Sequence, residues 1–285
     1  MPLAIPNSPV KPRPQPLVAA RLQRLLASAA ALLLLAFPAV SPAADTNNTP
    51  RLLTPADFAA YAKKNFWDAN ARFHRRNHDP QEAWRFARAC FDLADLATNN
   101  TERAEIAEQG IAACRGLIEK EPGSAEAHYY LGMSYAQLAQ TKSLGALKLV
   151  DQMEEEFLLV RGIDASLDHA GADRNLGLLY RDAPSFGSIG SRTKAKQHLQ
   201  KAVELAPEYP ENRLNLIEAY LKWNDRVGAR RELRGLEEIM PKARTNLVGD
   251  AWACSWFDWQ NRFQKVKKKI EEPSRAIESP RQKEP

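Results

Sequence analysis

The sequence predicts an all-α solenoid, a stack of about four to five helical hairpins with a capping helix at each end. One observation is self-similarity: Leu131-Gly132, Leu176-Gly177 and Leu216-Ile217 are each followed by a tyrosine at the same offset. Another is that apolar residues recur at helical spacing along most of the chain. The composition, 44% hydrophobic and 26% charged residues, is that of a folded globular protein. Recurring units of this kind bury their apolar faces only by stacking.

The first 43 residues have the three-part pattern of a secretory signal peptide. Arg21 and Arg24 precede an apolar run over 25–37, and the small residues Ser41 and Ala43 suit a cleavage site. The apolar run is too short to span a bilayer, and no cysteine follows it to carry a lipid. We therefore expect residues 1–43 to be removed, leaving a soluble chain in the periplasm or otherwise exported.

Residues 44–56 are predicted to be a linker, and the repeat domain to occupy 57–271. Thr54-Pro55 is a favourable helix start, and the following residues to Arg76 carry Phe58 and Phe66 at helical spacing. This helix is predicted to cover the exposed apolar face of the first repeat. The repeats are expected to start at five positions, namely Gln81, Ala125, Ala170, Pro210 and Arg244.

The repeated pattern resembles the tetratricopeptide repeat, whose first helix carries Leu-Gly-x-x-Tyr. Glycine is favoured where the two helices of a hairpin approach most closely, and a proline ends the second helix. The residues assigned to packing within and between repeats are Leu131, Gly132, Tyr135, Leu176, Gly177, Tyr180, Ala195, Ala202, Pro207, Ala229 and Pro241.

The repeats exceed the usual length because extra residues fall between the paired helices. Two of these insertions, 99–107 and 142–150, look helical, so the second helices should project past the first ones. The third, 183–191, reads as a loop. At the other end, residues 247–270 form a long helix bearing Trp252, Trp256 and Trp259 as a terminal cap. Residues 272–285 are charged, contain proline and are predicted to be disordered.

The composition excludes several kinds of chemistry. Residues 1–43 contain four cations and no acid, so the net charge falls from +5 to +1 when this segment is left out. The nearly neutral remainder argues against binding of nucleic acid. His74 and His78 have metal-ligand spacing but no third ligand. The glycine-containing stretch 187–192 lacks the spacing of a phosphate-binding loop. We predict no catalytic residues, no metal and no cofactor, and therefore no enzyme.

A stack of such hairpins offers a groove lined by its first helices. The groove residues predicted to bind a ligand or partner are Tyr129, Met133, Arg174, Leu178, Arg181, Leu214 and Glu218. Arg174 and Arg181, on one face beside apolar residues, could hold a small apolar or carboxylate-bearing ligand. The alternative is that they pair with Asp173, Asp182 or Glu126 and tie helices together.

Cys90 and Cys114 fall on facing sides of one predicted hairpin. In an exported protein they could form a disulfide, or both could remain buried thiols. Cys254 is left over from this pairing and is expected to be buried as a small apolar residue.

A second resemblance lies between about Leu117 and Asp225. The stretches 144–148, 173–184, 189–192 and 206–212 resemble the T-component of tripartite ATP-independent periplasmic (TRAP) transporters. That resemblance implies an exported helical-repeat protein, oligomeric, that docks the substrate-binding subunit of the transport system. The chain lacks the lipid-bearing cysteine of many such proteins. The alternative function is a general envelope scaffold that assembles other proteins and has no transport role.

Overall fold

The computed structural model describes residues 54–76, 79–142 and 145–272, and these residues are helical with no strand. The predicted signal peptide, most of the predicted linker, and residues 273–285 of the predicted tail lie outside the described residues. Within these ranges the helices are α1 (Pro55–Arg75), α2 (Pro80–Asp95), α3 (Asn100–Ile118), α4 (Ala125–Ala139), α5 (Ala146–Ile163), α6 (Leu167–Asp182), α7 (Arg192–Leu205), α8 (Pro210–Lys222), α9 (Arg226–Asn246) and α10 (Asp250–Glu271).

Side-chain caps fix where many of these helices begin. Thr54 and Asp57 form a reciprocal capping box at α1, and Ser124 accepts a hydrogen bond from the Ala127 N–H at α4. Asp225 likewise accepts from the Gly228 N–H at α9. Prolines in the first turn of α1, α2 and α8 cost no backbone hydrogen bond, since the N–H groups there have no helical acceptor.

Consecutive helices pair as antiparallel hairpins, α2 with α3, α4 with α5, α6 with α7 and α8 with α9. Within two hairpins a glycine lies at the closest approach. A Cβ on Gly132 would lie 2.8 Å from the Phe157 ring, and one on Gly177 would lie 2.6 Å from Leu199 Cγ. Helix α1 packs against α2, so it caps the first hairpin as predicted.

The predicted helical insertions lengthen the second helices. Helix α3 has 19 residues against 16 in α2, and α5 has 18 against 15 in α4. The segment 183–191 is a loop, and Pro207 follows the end of α7. These features of the chain agree with the sequence prediction.

The prediction that Pro241 ends a second helix is wrong. Helix α9 continues through Pro241 to Asn246, and α10 begins at Asp250 rather than at Arg244. Packing against α10 stabilises this extension: the Arg244 guanidinium lies 4.2 Å from the Trp256 ring centroid, and Trp256 Nε1 donates to the Leu247 carbonyl. These contacts offset the hydrogen bond that proline removes from a helix.

Helix α6 begins with left-handed backbone. Asp168, His169 and Ala170 have φ values of 57°, 55° and 63°, and regular helix follows from Gly171. For residues with a Cβ this conformation costs about 1–2 kcal/mol each. The surrounding side chains must therefore hold this turn in place.

The two terminal helices meet. Phe58 of α1 lies 5.6 Å from Phe257 of α10, measured between ring centroids. Helix α10 packs chiefly on α8, a first helix, rather than on α9. It therefore crosses the inner face of the stack. No helix of the described ranges is long and apolar enough to cross a membrane.

Candidate functional site

The first helices bring a buried polar cluster together on the inner face, which we call the Arg174 cluster: Tyr129, Asp168, Arg174, Asn175 and Asn212. Arg174 has no exposed surface, and its Nη2 lies 2.5 Å from Asp168 Oδ2. Its Nη1 donates to the Asp168 carbonyl at 3.0 Å and to Asn212 Oδ1 at 3.2 Å. The Tyr129 hydroxyl donates to Asp168, and Asn175 donates to that hydroxyl at 3.1 Å. The cluster thus links α4, α6 and α8.

The left-handed turn at the start of α6 serves this cluster. It directs the carbonyl groups of Asp168 and His169 toward the Arg174 guanidinium. Asn212 Nδ2 donates to the same His169 carbonyl at 2.9 Å. In an ordinary helical turn, the Asp168 and His169 carbonyl groups would point along the helix axis. Here the Arg174 guanidinium and the Asn212 amide donate hydrogen bonds to them instead.

Burial and charge set the protonation states here. Burial would lower the pKa of the Arg174 guanidinium, but the neighbouring Asp168 and Tyr129 raise it above its ordinary value, so Arg174 stays charged. Burial, followed by the Asp168 charge, raises the pKa of the Tyr129 hydroxyl well above its usual range. Burial lowers the pKa of His169. The cluster is a buried ion pair with neutral aromatic neighbours.

Several buried atoms of the cluster have no hydrogen-bond partner within the described residues. They are Asp168 Oδ1, Arg174 Nε and Asn175 Oδ1. Buried polar atoms are rarely left unpaired in native proteins.

Helix α10 covers the inner face of α8, and its Trp252 reaches His169 at the start of α6, with 6.1 Å between ring centroids. Arg262 donates to Glu218 at 2.8 Å and to Asn215 Oδ1 at 2.5 Å, and both acceptors lie on α8. Trp259 packs against Tyr209 with ring centroids 5.3 Å apart, and the Arg174 guanidinium lies 5.3 Å from the same tyrosine ring. An arginine and tryptophans of the chain itself thus occupy this part of the groove.

The structure consequently places most of the predicted groove residues inside the fold rather than on an open wall. All but Glu218 are buried, and Glu218 is half-buried against Arg262; the buried ones are Tyr129, Met133, Arg174, Leu178, Arg181 and Leu214. Arg181 pairs with Asp182 at 2.7 Å, and this pairing was expected from the sequence. Arg174 pairs with Asp168, and this pairing was not expected. Arg174 ties three helices together, whereas Arg181 pairs with its neighbour on the same helix, and binding of a partner at these residues stays a prediction.

The inner face remains open at the first hairpin, at a site that we call the α2 site: Arg85, Arg88 and Asp92. Their side chains are 29%, 18% and 25% exposed. Arg88 and Asp92 are only loosely paired, with 3.9 Å between Nε and Oδ2. Asp92 Oδ1 and Arg85 Nε have no hydrogen-bond partner within the described part of the chain.

The α2 site faces the other first helices. The Arg88 guanidinium interacts with Tyr130 of α4, with Asp168 of α6 and with Tyr209 beside α8. Burial raises the pKa of the Asp92 carboxyl to about 7. The positive charge of Arg88 lowers this pKa, and the negative charges of Asp95 and Asp168 raise it further. The groove residues predicted from the sequence do not include this site. The spacing of four residues between Arg88 and Asp92 was the signal that could have identified it.

The predicted disulfide is not formed in this structure. Cys90 and Cys114 are free, fully buried thiols, and Cys254 is half-buried. Burial raises the pKa of both Cys90 and Cys114, which keeps them protonated and unreactive. Within the described residues, no group of three histidine, cysteine, aspartate or glutamate side chains could hold a metal ion.

Comparison with known proteins identifies the fold that this arrangement of hairpins forms. A family model described as a tetratricopeptide repeat matches residues 190–246, which span α7 to α9. A solved structure, a thermophilic TPR protein from Thermus thermophilus, is similar with a TM-score of 0.55 at 18% identity over 75% of this chain and 97% of that one. The fold is that of a tetratricopeptide-repeat protein.

A second family model, described as regulator of microtubule dynamics protein 1-3, matches residues 58–148, from α1 into α5. No curated protein matches the chain significantly. Each family match covers less than half of the chain, so neither assigns the chain to a family or indicates a partner. Repeats of this fold typically bind other proteins through their helical faces.

Proposed function

We propose that the chain is a protein-interaction module that binds a segment of a partner protein on the open part of its inner face. One observation carries the proposal: α10 packs on the inner face of α8, whereas the side chains of the α2 site stay partly exposed. A rigid stack of helices with one open polar site suits binding rather than reaction. The role is that of a scaffold, and no catalysis is proposed.

The α2 site defines the chemistry of the bound segment. Arg85, which also pairs with Glu82 at 3.1 Å, and Arg88 supply planar donors that suit a carboxylate, and Asp92 supplies an acceptor for an amide or amine. Trp84 stacks on Tyr130 with ring centroids 6.0 Å apart, and the Arg85 guanidinium lies 5.4 Å from the Trp84 ring. An extended segment with an acidic side chain beside an apolar one fits these groups.

The more specific proposal concerns the partner and the place. The sequence resemblance to TRAP T-components and the signal-like residues 1–43 support an exported, periplasmic accessory that docks a substrate-binding subunit. The alternative is a general envelope scaffold with no transport role. The identity of the partner distinguishes the two.

A photoreactive amino acid at position 85 would test the site. In cells that make the full chain, we expect it to cross-link one major partner, and the same amino acid at Arg234, an exposed residue of α9, should not. Cross-linking of the same proteins from both positions would contradict the proposal. A cross-linked solute-binding protein favours the transport role, and another envelope protein favours the scaffold.

Binding measurements with the identified partner then test the chemistry. The double variant R85A/R88A should weaken the affinity by about 10- to 100-fold, since charge-assisted hydrogen bonds to arginine are each worth about 1.5–3 kcal/mol. The variant R234A serves as the control and should bind normally. Equal affinities of the two variants would exclude the α2 site as the binding surface.

A further inference from the structure

Apolar and basic side chains share one edge of the stack. In every hairpin the first helix turns into the second at the same edge, because paired helices run antiparallel. We call this the hairpin edge; it holds the starts of α3, α5, α7 and α9 with the described residues of the loops before them. The connections from each hairpin to the next lie at the opposite edge.

Three apolar side chains project from the hairpin edge. Leu147 is 45% exposed, Phe186 is 96% exposed and Val227 is 77% exposed. They belong to three successive hairpins, at the start of α5, in the loop before α7 and at the start of α9. Burying them against another surface would be favourable, because each now exposes apolar area to water.

A cation accompanies each of these apolar residues. Lys148 follows Leu147, Arg192 begins the helix after the Phe186 loop, and Arg226 precedes Val227. Arg226 Nη1 also donates to the Glu272 carbonyl at 2.6 Å. This contact brings the end of α10, with the exposed Lys268 and Lys269, to the same edge.

Two acids near these residues are engaged within the chain, whereas Asp151, one turn after Lys148, is exposed. Asp182 pairs with Arg181 and with Lys222 at 2.9 Å. The Asp225 side chain caps α9 by accepting from the Gly228 N–H at 2.8 Å. The exposed cations at this edge are therefore not neutralised by these two carboxylates.

We propose that the hairpin edge docks on an anionic lipid bilayer. Separate apolar side chains on successive loops, each beside a cation, can enter the headgroup region one by one while the cations contact lipid phosphates. A protein partner would instead require a continuous apolar centre surrounded by a polar rim. The contact is peripheral, and it leaves the α2 site free for a protein segment.

Vesicle binding by matched variants tests the proposal. The full chain should co-sediment with phosphatidylcholine vesicles that contain phosphatidylglycerol, and added salt should weaken the binding. The variant V227E should bind about tenfold or more weakly, since it removes an apolar contact and adds a repelled charge. The variant V248E is the control, because Val248 is 64% exposed but lies at the opposite edge, and it should bind like the wild type.

The comparison between these variants is decisive. Residues 1–43 are identical in both, so a difference in vesicle binding between the variants does not come from them, and circular dichroism checks that both variants are folded. Equal vesicle binding by V227E and V248E would overturn the proposal. Binding of soluble polyglutamate at this edge, with a V227E effect there but none on vesicles, would also overturn it in favour of an acidic protein partner.

Discussion

The left-handed backbone at the start of α6 and the buried side chain of Arg174 stabilise each other. Left-handed residues with a Cβ are costly, and here they occur consecutively at Asp168, His169 and Ala170. In return, two carbonyl groups and the Asp168 carboxylate surround one buried guanidinium. Breaking a buried ion pair by removing one partner costs about 3–5 kcal/mol, which is enough to hold such a turn.

This interpretation predicts an unusual response to glycine. Ala170 and Ala172 are equally buried on the same helix, but only Ala170 has a positive φ. We expect A170G to change the free energy of unfolding by less than about 1 kcal/mol, because relief of the left-handed strain offsets the lost methyl group. A172G has no such relief and should destabilise by about 1–2 kcal/mol. Urea unfolding of both variants measures the difference, and an equal loss would show that Ala170 is unstrained.

The protonation state of Asp92 makes the free energy of unfolding depend on pH. Burial raises the pKa of this carboxyl from 3.8 to about 7, so the folded state binds more protons than the unfolded state between these values. The contribution of Asp92 to stability is therefore present below about pH 4 and is lost as the pH rises through about 7. The facing groups that set this shift are Arg88, Asp95 and Asp168.

Replacing Asp92 by asparagine should remove this dependence. Relative to the wild type, D92N is expected to gain stability steadily from about pH 4 to pH 7.5, as followed by urea unfolding at a series of pH values. The control D151N changes an exposed carboxylate of α5 and should track the wild type. Because both variants retain every other titrating group, parallel pH profiles for the two would contradict a raised Asp92 pKa.

At the scale of the helix pair, close approach depends on the absence of one Cβ. Gly177 of α6 faces Leu199 of α7, where an added Cβ would lie 2.6 Å from a side-chain carbon and 3.0 Å from the backbone nitrogen. The backbone contact leaves little room for the neighbour to move. The two helices would have to separate.

We therefore expect G177A to destabilise the protein by about 1–3 kcal/mol, the usual cost of overpacking a core. The control is G116A in α3, where nothing lies within 4 Å of an added Cβ. There alanine should stabilise by up to about 1 kcal/mol through helix propensity. Chemical denaturation distinguishes the two signs, and a stabilised G177A would mean that the hairpin is looser than the structure indicates.

Helix positions were predictable where a local signal marks them. The sequence predicts repeat starts at Ala125 and Pro210, and α4 and α8 begin at those residues. Helix α9 passes the expected stop at Pro241 because Trp256 of α10 packs against its last turn, a tertiary contact that no local pattern reveals. The partner of Arg174 was missed because Asp168 reaches it only through the left-handed turn.

The site was less predictable than the fold for a related reason. The spacing of the tryptophans in α10 shows that the helix has an apolar face, but not which surface that face covers. Because Arg262 and Trp259 pack onto the inner face of α8, residues such as Leu214 are buried there. The side chains that stay partly exposed on the inner face of the first hairpin are those of the α2 site.

For the whole molecule, the contact between Phe58 and Phe257 matters because it joins the two ends of the stack. Repeat arrays are otherwise stabilised only by neighbouring units, so their ends do not sense each other. Here a first-turn residue of α1 touches the middle of α10, with 5.6 Å between ring centroids. Residues far apart in sequence, at the two ends of the described chain, should therefore be energetically coupled.

A double-mutant cycle measures this coupling. F58A and F257A should each destabilise the protein, and the double variant should lose about 0.5–1.5 kcal/mol less than the sum, the value typical of an aromatic pair. The control cycle combines F257A with W67A, since Trp67 is 57% exposed on the same helix as Phe58 and packs on Phe66 instead. The losses in the free energy of unfolding caused by F257A and W67A should be additive. If the Phe58–Phe257 cycle were also additive, the contact between α1 and α10 would not be formed in solution, and the two ends of the stack would be uncoupled.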